Sequence, residues 1–354
     1  MKHIHEFLIN KRINKKIDSK TPAKYKATTY EDLQDAILEC FNDNNPNLNC
    51  IDVSNITKMS NLFKDINDLH PRLSYDIWRK LDMSEWDTSN VRSMYSMFDG
   101  CKHFDGDVSN WDVTKVDNMD AMFYNCDEFK GKGLSTWDVS NVKQMGHMFC
   151  MNQNLDDKEI EDWKIDSVAD VECMFAGCQA FNPDLSKWKL PKTLTYLNSM
   201  FEDCGAFEGK GLENWDVSNI ETMYETFSNC INFNPDLSNW NTYNLVNINQ
   251  AFYNCISFDG KGLENWNVKK LKQAEQAFQD CEYFNPDLSN WNIFTSKDST
   301  FYINVNVRWM FRGCSRFNCN LNNWDFSNVS ENQYEHIFSD TSMKRKNMPK
   351  NMKL

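Results

Sequence analysis

The sequence lacks the features of several common protein classes. It has no apolar run of 18 residues, so no membrane-spanning helix is predicted. The first ten residues contain too short an apolar stretch for a secretory signal peptide, and none is expected. Histidine is scarce, with six residues in 354, and none lies in a His-Glu-x-x-His zinc motif. The Gly-x-Ser-x-Gly motif of hydrolases and the Gly-x-Gly-x-x-Gly motif of dinucleotide-binding folds are also missing. We therefore expect a non-enzymatic protein without catalytic residues or cofactors, because catalysis needs an irregular, converging set of side chains.

What the sequence does contain is a repeat. Tryptophans fall at 86, 111, 137, 163, 188, 215, 240, 266, 291 and 324, and the first eight intervals are 25 to 27 residues long. A unit of this size is written about eleven times along the chain. Such a unit cannot bury its apolar face alone, so a fixed period of this length indicates stacked repeats.

The apolar positions within one repeat predict its local structure. Val108, Trp111, Val113 and Val116 have the spacing of a leucine-rich repeat, and the apolar positions over 116–126 then follow a helical period. Each unit thus reads as a short strand around Trp-Asp-Val, a turn and a short helix. The predicted fold class is an α/β solenoid, a leucine-rich-repeat-like stack with one parallel sheet.

Cysteines recur in one slot of the repeat, three residues after a phenylalanine. They stand at 101, 126, 178, 204, 230, 255, 281 and 314. Free cysteine is among the most buried residue types, so this row is interpreted as small core residues. No Cys-x-x-Cys pair occurs, and ligands arranged in a line do not form a tetrahedron, so no metal site is predicted. A row of reduced thiols favours a reducing compartment.

Two corner motifs alternate before the tryptophans. Asn-Pro-Asp-Leu occupies 182–185, 234–237 and 285–288, and Gly-Lys-Gly-Leu occupies 131–134, 209–212 and 260–263. Proline fixes φ and glycine permits positive φ, so both motifs suit a tight corner. The glycine motif lacks the remainder of a phosphate-binding loop, and we interpret it as a turn.

The ends of the chain differ from its repeats and define the expected domains. Residues 1–28 form a predicted basic tail, residues 29–49 a capping helix beginning at Thr29, 50–340 the repeats, and 341–354 a second basic tail. Residues 1–26 carry a net charge of +6 and 341–354 carry +5. The whole chain carries −13, which leaves −24 on 27–340. Insertions around 68–80 and 295–305 are expected to form surface loops or binding loops.

One residue per repeat, between the tryptophan and the next apolar residue, is expected to point outwards on the sheet face. This row is the candidate partner-binding face: Asp87, Asp112, Asp138, Lys164, Lys189, Asp216, Asn241, Asn267, Asn292 and Asp325. The Ser-Asn pairs that follow several of these residues are expected to bond turn backbone.

The repeat also resembles that of a known family. The motif Trp-Asp-Val-Ser-Asn-Val at 137–142, followed by Met-Phe-x-x-Cys, is similar to the repeats of the BspA-type leucine-rich repeat surface proteins, over residues 50–340. The resemblance implies an α/β solenoid that binds other macromolecules and has no enzymatic role. Its members include bacterial surface proteins, and similar repeats occur in bacteriophages.

These observations leave three functions open. The first is a scaffold for protein–protein recognition or adhesion through the sheet face and inserted loops, with an unknown protein partner. The second is a structural virion or assembly component of a bacteriophage. The third is nucleic-acid contact through the basic tails. The expected location is intracellular or virion-associated in preference to the cell surface.

Overall fold

A computed structural model of the protein describes residues 24–42, 44–70, 73, 75–291, 305–326, 329–349 and 352. The chain divides into two compact units, Met1–Ser167 (unit 1) and Val168–Leu354 (unit 2). Most of the predicted N-terminal tail and most of the insertion around 295–305 lie outside the described residues.

Helices and strands make up a small part of the described chain. In unit 1 the strand β1 (Tyr25–Lys26) pairs in parallel with β2 (Ile51–Asp52), and the helices are α1 (Tyr30–Asn42), α2 (Leu62–Leu69) and α3 (Tyr75–Arg79). Three-residue 3₁₀ helices lie at Leu134–Thr136, Asp157–Glu159, Leu212–Asn214, Leu263–Asn265, Glu331–Gln333 and Arg345–Asn347.

Helix α1 covers the first repeat of unit 1. The hydroxyl of Thr29 accepts the N–H of Asp32 at 3.1 Å, which satisfies one of the free donors at the start of the helix. The apolar face of α1 is buried, with Leu33 and Ile37 fully enclosed. The Tyr30 hydroxyl donates to the Ser60 carbonyl at 2.9 Å and ties the helix to the repeat below it.

Within each unit, successive repeats lie in register. Parallel bridges join Lys58, Ser93, Asn118 and Gln144 in unit 1, and Tyr196, Thr222, Asn247, Gln273 and Asn306 in unit 2. Equivalent aromatic rings then stack on one another. In unit 1 the Trp86 and Trp111 rings are 6.3 Å apart, and in unit 2 the Phe201 and Phe227 rings are 5.9 Å apart. The ten tryptophans of the repeat, from Trp86 to Trp324, are each at most 5% exposed, as expected if stacked repeats cover one another's apolar faces.

The local elements of the repeat differ from the prediction. Around Trp111-Asp112-Val113 the chain is not a strand, and the stretch from Met119 to Cys126 is a series of turns and not a helix. The parallel bridges lie at Asn118 and its equivalents, inside the stretch 116–126 that was predicted to be helical. The leucine-rich-repeat-like α/β solenoid therefore remains a prediction for the fold class. The strand–turn–helix structure predicted for the repeat is wrong over 111–126, where the chain forms parallel bridges at Asn118 and a series of turns.

The hydrogen bonds explain why neither a helix nor a regular strand forms. The N–H groups of Met119, Ala121, Phe123 and Asn125 donate to carbonyls of the next repeat at 2.8–2.9 Å. The N–H groups between them close turns onto the third residue before, as Met122 does onto Met119. An α-helix would use all these groups internally, whereas here every second group leaves the repeat. Ala121 and Asn125 take left-handed φ values of 53° and 54° to allow this alternation.

The C-terminal segment predicted as a basic tail is attached to unit 2 over its described part. The N–H of Leu321 donates to the Asn347 carbonyl at 2.8 Å, and the N–H of Lys344 donates to the side chain of Asn318 at 2.9 Å. Residues 344–347 therefore form a further corner of the repeat pattern.

Replacing Trp188 with alanine should destabilise unit 2 by about 3–5 kcal/mol, because the indole is 1% exposed and its removal leaves a cavity. The loss should remain confined to the neighbouring repeats. Urea unfolding and hydrogen exchange measure the size and the spread of the effect. Tyr243→Ala, at a 50% exposed position of the same unit, is the control and should change stability by about 0.5 kcal/mol or less.

Gly211→Ala should cost at least about 2 kcal/mol, because φ is 91° and the added Cβ would lie 2.1 Å from the Ser186 backbone nitrogen. Gly205→Ala is the matched control in the same unit. Its Cβ would lie 3.2 Å from the flexible Gln179 side chain and 4.0 Å from the Gln179 carbonyl oxygen, an ordinary contact distance, and a change of about 1 kcal/mol or less is expected. Equal urea midpoints for the two variants would contradict the proposed backbone constraint.

Candidate recognition surface

The row of outward residues predicted from the sequence is largely exposed. In unit 1 the exposed members are Asp87, Asp112, Asp138 and Lys164; in unit 2 they are Lys189, Asp216, Asn241 and Asp325. Asn267 is partly buried, and Asn292 lies outside the described residues. The structure places these side chains one per repeat within each unit.

Several aspartates of this row also hold the turn that follows them. The side-chain oxygen of Asp112 accepts the N–H of Thr114 at 3.0 Å, and Asp138 accepts the N–H of Ser140 at 3.1 Å. Hydrogen bonds from the Thr114 and Ser140 side chains and backbone lower the pKa of the two carboxyl groups. One oxygen of each carboxylate is thus bonded within the turn that follows it.

The asparagines of the Ser-Asn pairs tie neighbouring repeats together. Asn141 donates its side-chain N–H to the Thr114 carbonyl at 2.8 Å in unit 1, and Asn90 donates to the Ser54 carbonyl at 3.0 Å. In unit 2, at the same slot, Asn244 donates to the Ser218 carbonyl at 2.7 Å. The prediction that these residues bond turn backbone is confirmed for Asn90 and Asn141. Among the described residues Asn219 makes no such side-chain bond, and the pair at 327–328 lies outside them.

The Gly-Lys-Gly corners form ion pairs that the sequence reasoning missed. Lys210 lies 2.7 Å from Asp184, and Lys261 lies 2.7 Å from Asp236, in each case one repeat earlier. Both acids belong to Asn-Pro-Asp-Leu motifs, so each lysine corner sits on an aspartate corner. The hydrogen bond from the lysine, followed by those from the next serine, lowers the pKa of each carboxyl to about 2.

The two alternating corner motifs fit each other in shape as well as in charge. A Cβ on Gly209 would lie 2.8 Å from the Pro235 side chain of the following repeat, so only glycine fits there. The φ of 82° at Gly209 confirms that the motif is a corner. The alternation of the two corner motifs along the sequence could have predicted that one packs against the other.

The cysteine row has a hydrogen-bonding role in addition to its predicted burial. The thiols of Cys204 and Cys230 donate to the carbonyls of Phe175 and Phe201, one repeat earlier, at 3.0 and 2.9 Å. Burial raises the pKa of both thiols. Neutral, buried thiols are poor nucleophiles, so this row holds the stack together and offers no reactive group.

Unit 2 carries a line of exposed apolar side chains that the sequence reasoning missed. Ile231, Ile256 and Tyr283 are 42%, 37% and 44% exposed. They lie on consecutive repeats, since the N–H of Ser257 donates to the Ile231 carbonyl and that of Tyr283 to the Ile256 carbonyl. The Arg316 guanidinium stacks 3.8 Å from the Tyr283 ring centroid. The signal at Ile231 and Ile256 was an apolar residue directly after the cysteine of the repeat, whereas Tyr283 stands two residues after Cys281.

In unit 1 the insertion between the first two phenylalanine slots folds onto a later repeat. The Tyr75 hydroxyl of helix α3 donates to the Glu128 carboxylate at 3.2 Å, and Arg79 lies 3.4 Å from the same group. His103 contacts this carboxylate through Nδ1 at 3.1 Å. The predicted surface loop is therefore helical over Tyr75–Arg79 and is attached through Glu128.

Over the described ranges no group of three or more His, Cys, Asp or Glu side chains is placed to hold a metal ion. None of the helices in the described part of the chain is long and apolar enough to cross a membrane.

The lysine–aspartate corners predict an acid-dependent stability. An Asp pKa of about 2, against an ordinary value of about 3.9, stabilises the fold above pH 4, and this contribution is lost as pH falls through 2. Replacing both Lys210 and Lys261 with methionine should flatten the fall in the urea midpoint between pH 5 and 2.

The matched control for this experiment is Lys269→Met with Lys272→Met. It makes the same change in charge, and both lysines are exposed in unit 2. Its acid profile should follow the parent protein. If both double variants gave the same profile, net charge and not the two pairs would explain the acid dependence.

Comparison with known proteins agrees with the repeat. Four overlapping segments, residues 31–132, 125–210, 195–306 and 302–351, match the family described as "Mycoplasma protein of unknown function, DUF285". No curated protein and no solved structure matches the chain. Because the four segments cover nearly all of the described repeats, the chain belongs to this family of repeat proteins.

Proposed function

We propose that the protein is a non-enzymatic repeat scaffold that recognises other proteins through exposed side chains on its repeats. The observation that carries this proposal is the line formed by Ile231, Ile256 and Tyr283 in unit 2, called here the apolar row. Isolated apolar residues are common on protein surfaces, but exposed apolar residues on three consecutive repeats favour an interaction site.

The composition of the apolar row fits protein recognition. Tyrosine and arginine are enriched among the residues that dominate binding energy in protein interfaces. Tyr283 presents a ring that is 44% exposed, and Arg316 stacks against it. Stacking holds both side chains in place before binding, which lowers the entropy lost when a partner contacts them.

The way the backbone is held also supports a recognition role. Ring stacking and thiol hydrogen bonds join neighbouring repeats, as with Phe227 and Cys230 in unit 2, and Asx turns such as that of Asp216 fix the chain within a repeat. Exposed slots can then vary without loss of the stack. The row from Asp87 to Asp325 belongs to the same proposal as a polar surface, although its aspartates share their oxygens with the turns.

The resemblance to the BspA-type surface proteins supports the same proposal, because it implies binding of other macromolecules. The location we propose is a reducing one. No disulfide joins any of the 13 cysteines, all of which lie in the described ranges, and 12 of them are buried, a state that is stable without an oxidising environment.

The proposal is tested by affinity purification from the native source with three forms of the full chain. The first is the parent protein, and the second carries Ile231→Lys with Ile256→Lys. The third carries Thr193→Lys with Asn290→Lys, a matched control with the same added charge at exposed positions of unit 2. Mass spectrometry compares the proteins retained by each form.

A partner that uses the apolar row should be retained by the parent and the control and reduced at least about tenfold with the Ile→Lys variant. Thermal unfolding should show that all three forms are folded. Identical sets of retained proteins for the three folded forms would reject the apolar row as the recognition surface.

A further inference from the structure

In unit 2 most backbone hydrogen bonds between repeats run in one direction along the stack. In repeat after repeat, N–H groups two residues apart donate forward to carbonyls of the following repeat. Ser199, Phe201 and Asp203 donate to the carbonyls of Tyr224, Thr226 and Ser228 at 2.8–2.9 Å. Trp309, Phe311 and Gly313 do the same to the repeat that follows them. Forward donors outnumber backward ones in this stretch, so the peptide dipoles align along the stack.

This direction leaves donors without partners at the last repeat. His336, Phe338 and Asp340 occupy the slots of Ser199, Phe201 and Asp203, and the φ values at His336 and Asp340 are 55° and 58°. Within the described residues the N–H groups of these three residues donate to no carbonyl or side chain. We refer to them as the terminal edge. It is the positive end of the aligned dipoles and offers three donors at a two-residue spacing.

The ring ladder ends at the same place. Phe311 is fully buried between Phe278, at 5.8 Å, and Phe338, at 6.0 Å. Phe338 itself is only partly buried and stacks on the preceding repeat alone, against Phe311 and Phe317. Among the described residues no aromatic ring of a later segment stacks on Phe338.

The charged residues around the terminal edge favour a negatively charged partner. Glu335 and Asp340 are the nearby acids, and they pair with Arg308 at 3.1 Å and Arg312 at 3.8 Å. Over 344–346 the chain adds three exposed basic residues, Lys344, Arg345 and Lys346, for which the described chain provides no ion pair. In a chain of net charge −13, residues 341–354 carry a net charge of +5.

From this geometry we propose that the terminal edge binds an extended, acidic segment of a partner protein, which lies parallel to residues 334–341 as one further repeat. The segment supplies carbonyl oxygens to His336, Phe338 and Asp340 and an apolar side chain to the Phe338 ring. This is strand addition at an exposed edge, in which main-chain hydrogen bonds provide affinity and alternate side chains provide specificity. The proposal does not depend on the apolar row.

A second copy of this chain is a poorer occupant. Two terminal edges facing each other would bring N–H donors against N–H donors, which cannot pair. At the other end of the chain, the first repeat of unit 1 is covered by α1, whose Tyr30 occupies the Ser60 carbonyl. The occupant is therefore expected to be a different chain.

The test uses the full-length protein and a synthetic peptide of residues 220–231, Ile-Glu-Thr-Met-Tyr-Glu-Thr-Phe-Ser-Asn-Cys-Ile, under reducing conditions. Within unit 2 the carbonyls of this segment already accept the same three-bond pattern, and it carries two glutamates. Hydrogen–deuterium exchange measures the amides of His336, Phe338 and Asp340. They should exchange fast in the free protein and slow down with the peptide, but not with a scrambled peptide of the same composition.

Two variants test whether the peptide binds at the terminal edge or elsewhere on the surface of unit 2. Phe338→Glu replaces the ring that receives the incoming apolar side chain with a carboxylate and should weaken peptide binding at least about tenfold. Tyr243→Glu makes the same charge change at an exposed site of unit 2 and should leave binding unchanged.

Three results would overturn the proposal. The first is slow exchange of the three amides in the absence of peptide. Sedimentation would then show whether a second copy or the same chain covers the terminal edge. The second is equal protection by the scrambled peptide. The third is peptide binding with protection only elsewhere, or no binding at all. The wild-type exchange data decide the question even if Phe338→Glu does not fold.

Discussion

The structure of each unit depends on the hydrogen bond from a repeat's backbone to the carbonyl of the next repeat. A buried N–H without a partner costs about as much as a lost hydrogen bond, so half of the amides in the turn stretch need a neighbouring repeat. Phe123 shows this dependence, with its N–H bonded to Met148 and its ring stacked on Phe98 and Phe149. Ring stacking and amide pairing thus select the same register, and neither is satisfied in an isolated repeat.

The interior and the surface of the repeats then have separate roles. Tryptophan, phenylalanine and cysteine occupy interior slots, where even the thiols donate to carbonyls of the preceding repeat. The corners match by charge and shape, with Lys210 on Asp184 and Gly209 against Pro235. Because these contacts hold the backbone, the exposed slots are free to carry recognition, which is the basis of the function we propose.

Much of this arrangement could be predicted from the sequence, and the failures have identifiable causes. The period, the buried ladders and the glycine corners follow from residue spacing alone. The strand around Trp111 and the helix after Val116 were wrong because apolar spacing reports which residues are buried and not which atoms their amides bond. Left-handed φ values at residues such as Ala121, which has a Cβ, are not visible in a pattern of apolar residues.

The candidate surface shows the same division. The outward slot from Asp87 to Asp325 was predictable because one position per repeat stays polar, but its sharing of oxygens with the turns was not. The apolar row depends on which side of the backbone Ile231 and Ile256 face, and the terminal edge on the direction of the peptide groups in the last repeat. By itself, the sequence determined that equivalent residues stack at a period of 25 to 27 residues, since no single unit could bury its own aromatic rings. Only the tertiary structure decided where the amides point and which groups remain unpaired. The direction of these hydrogen bonds depends on how neighbouring repeats pack and cannot be read from the order of the residues.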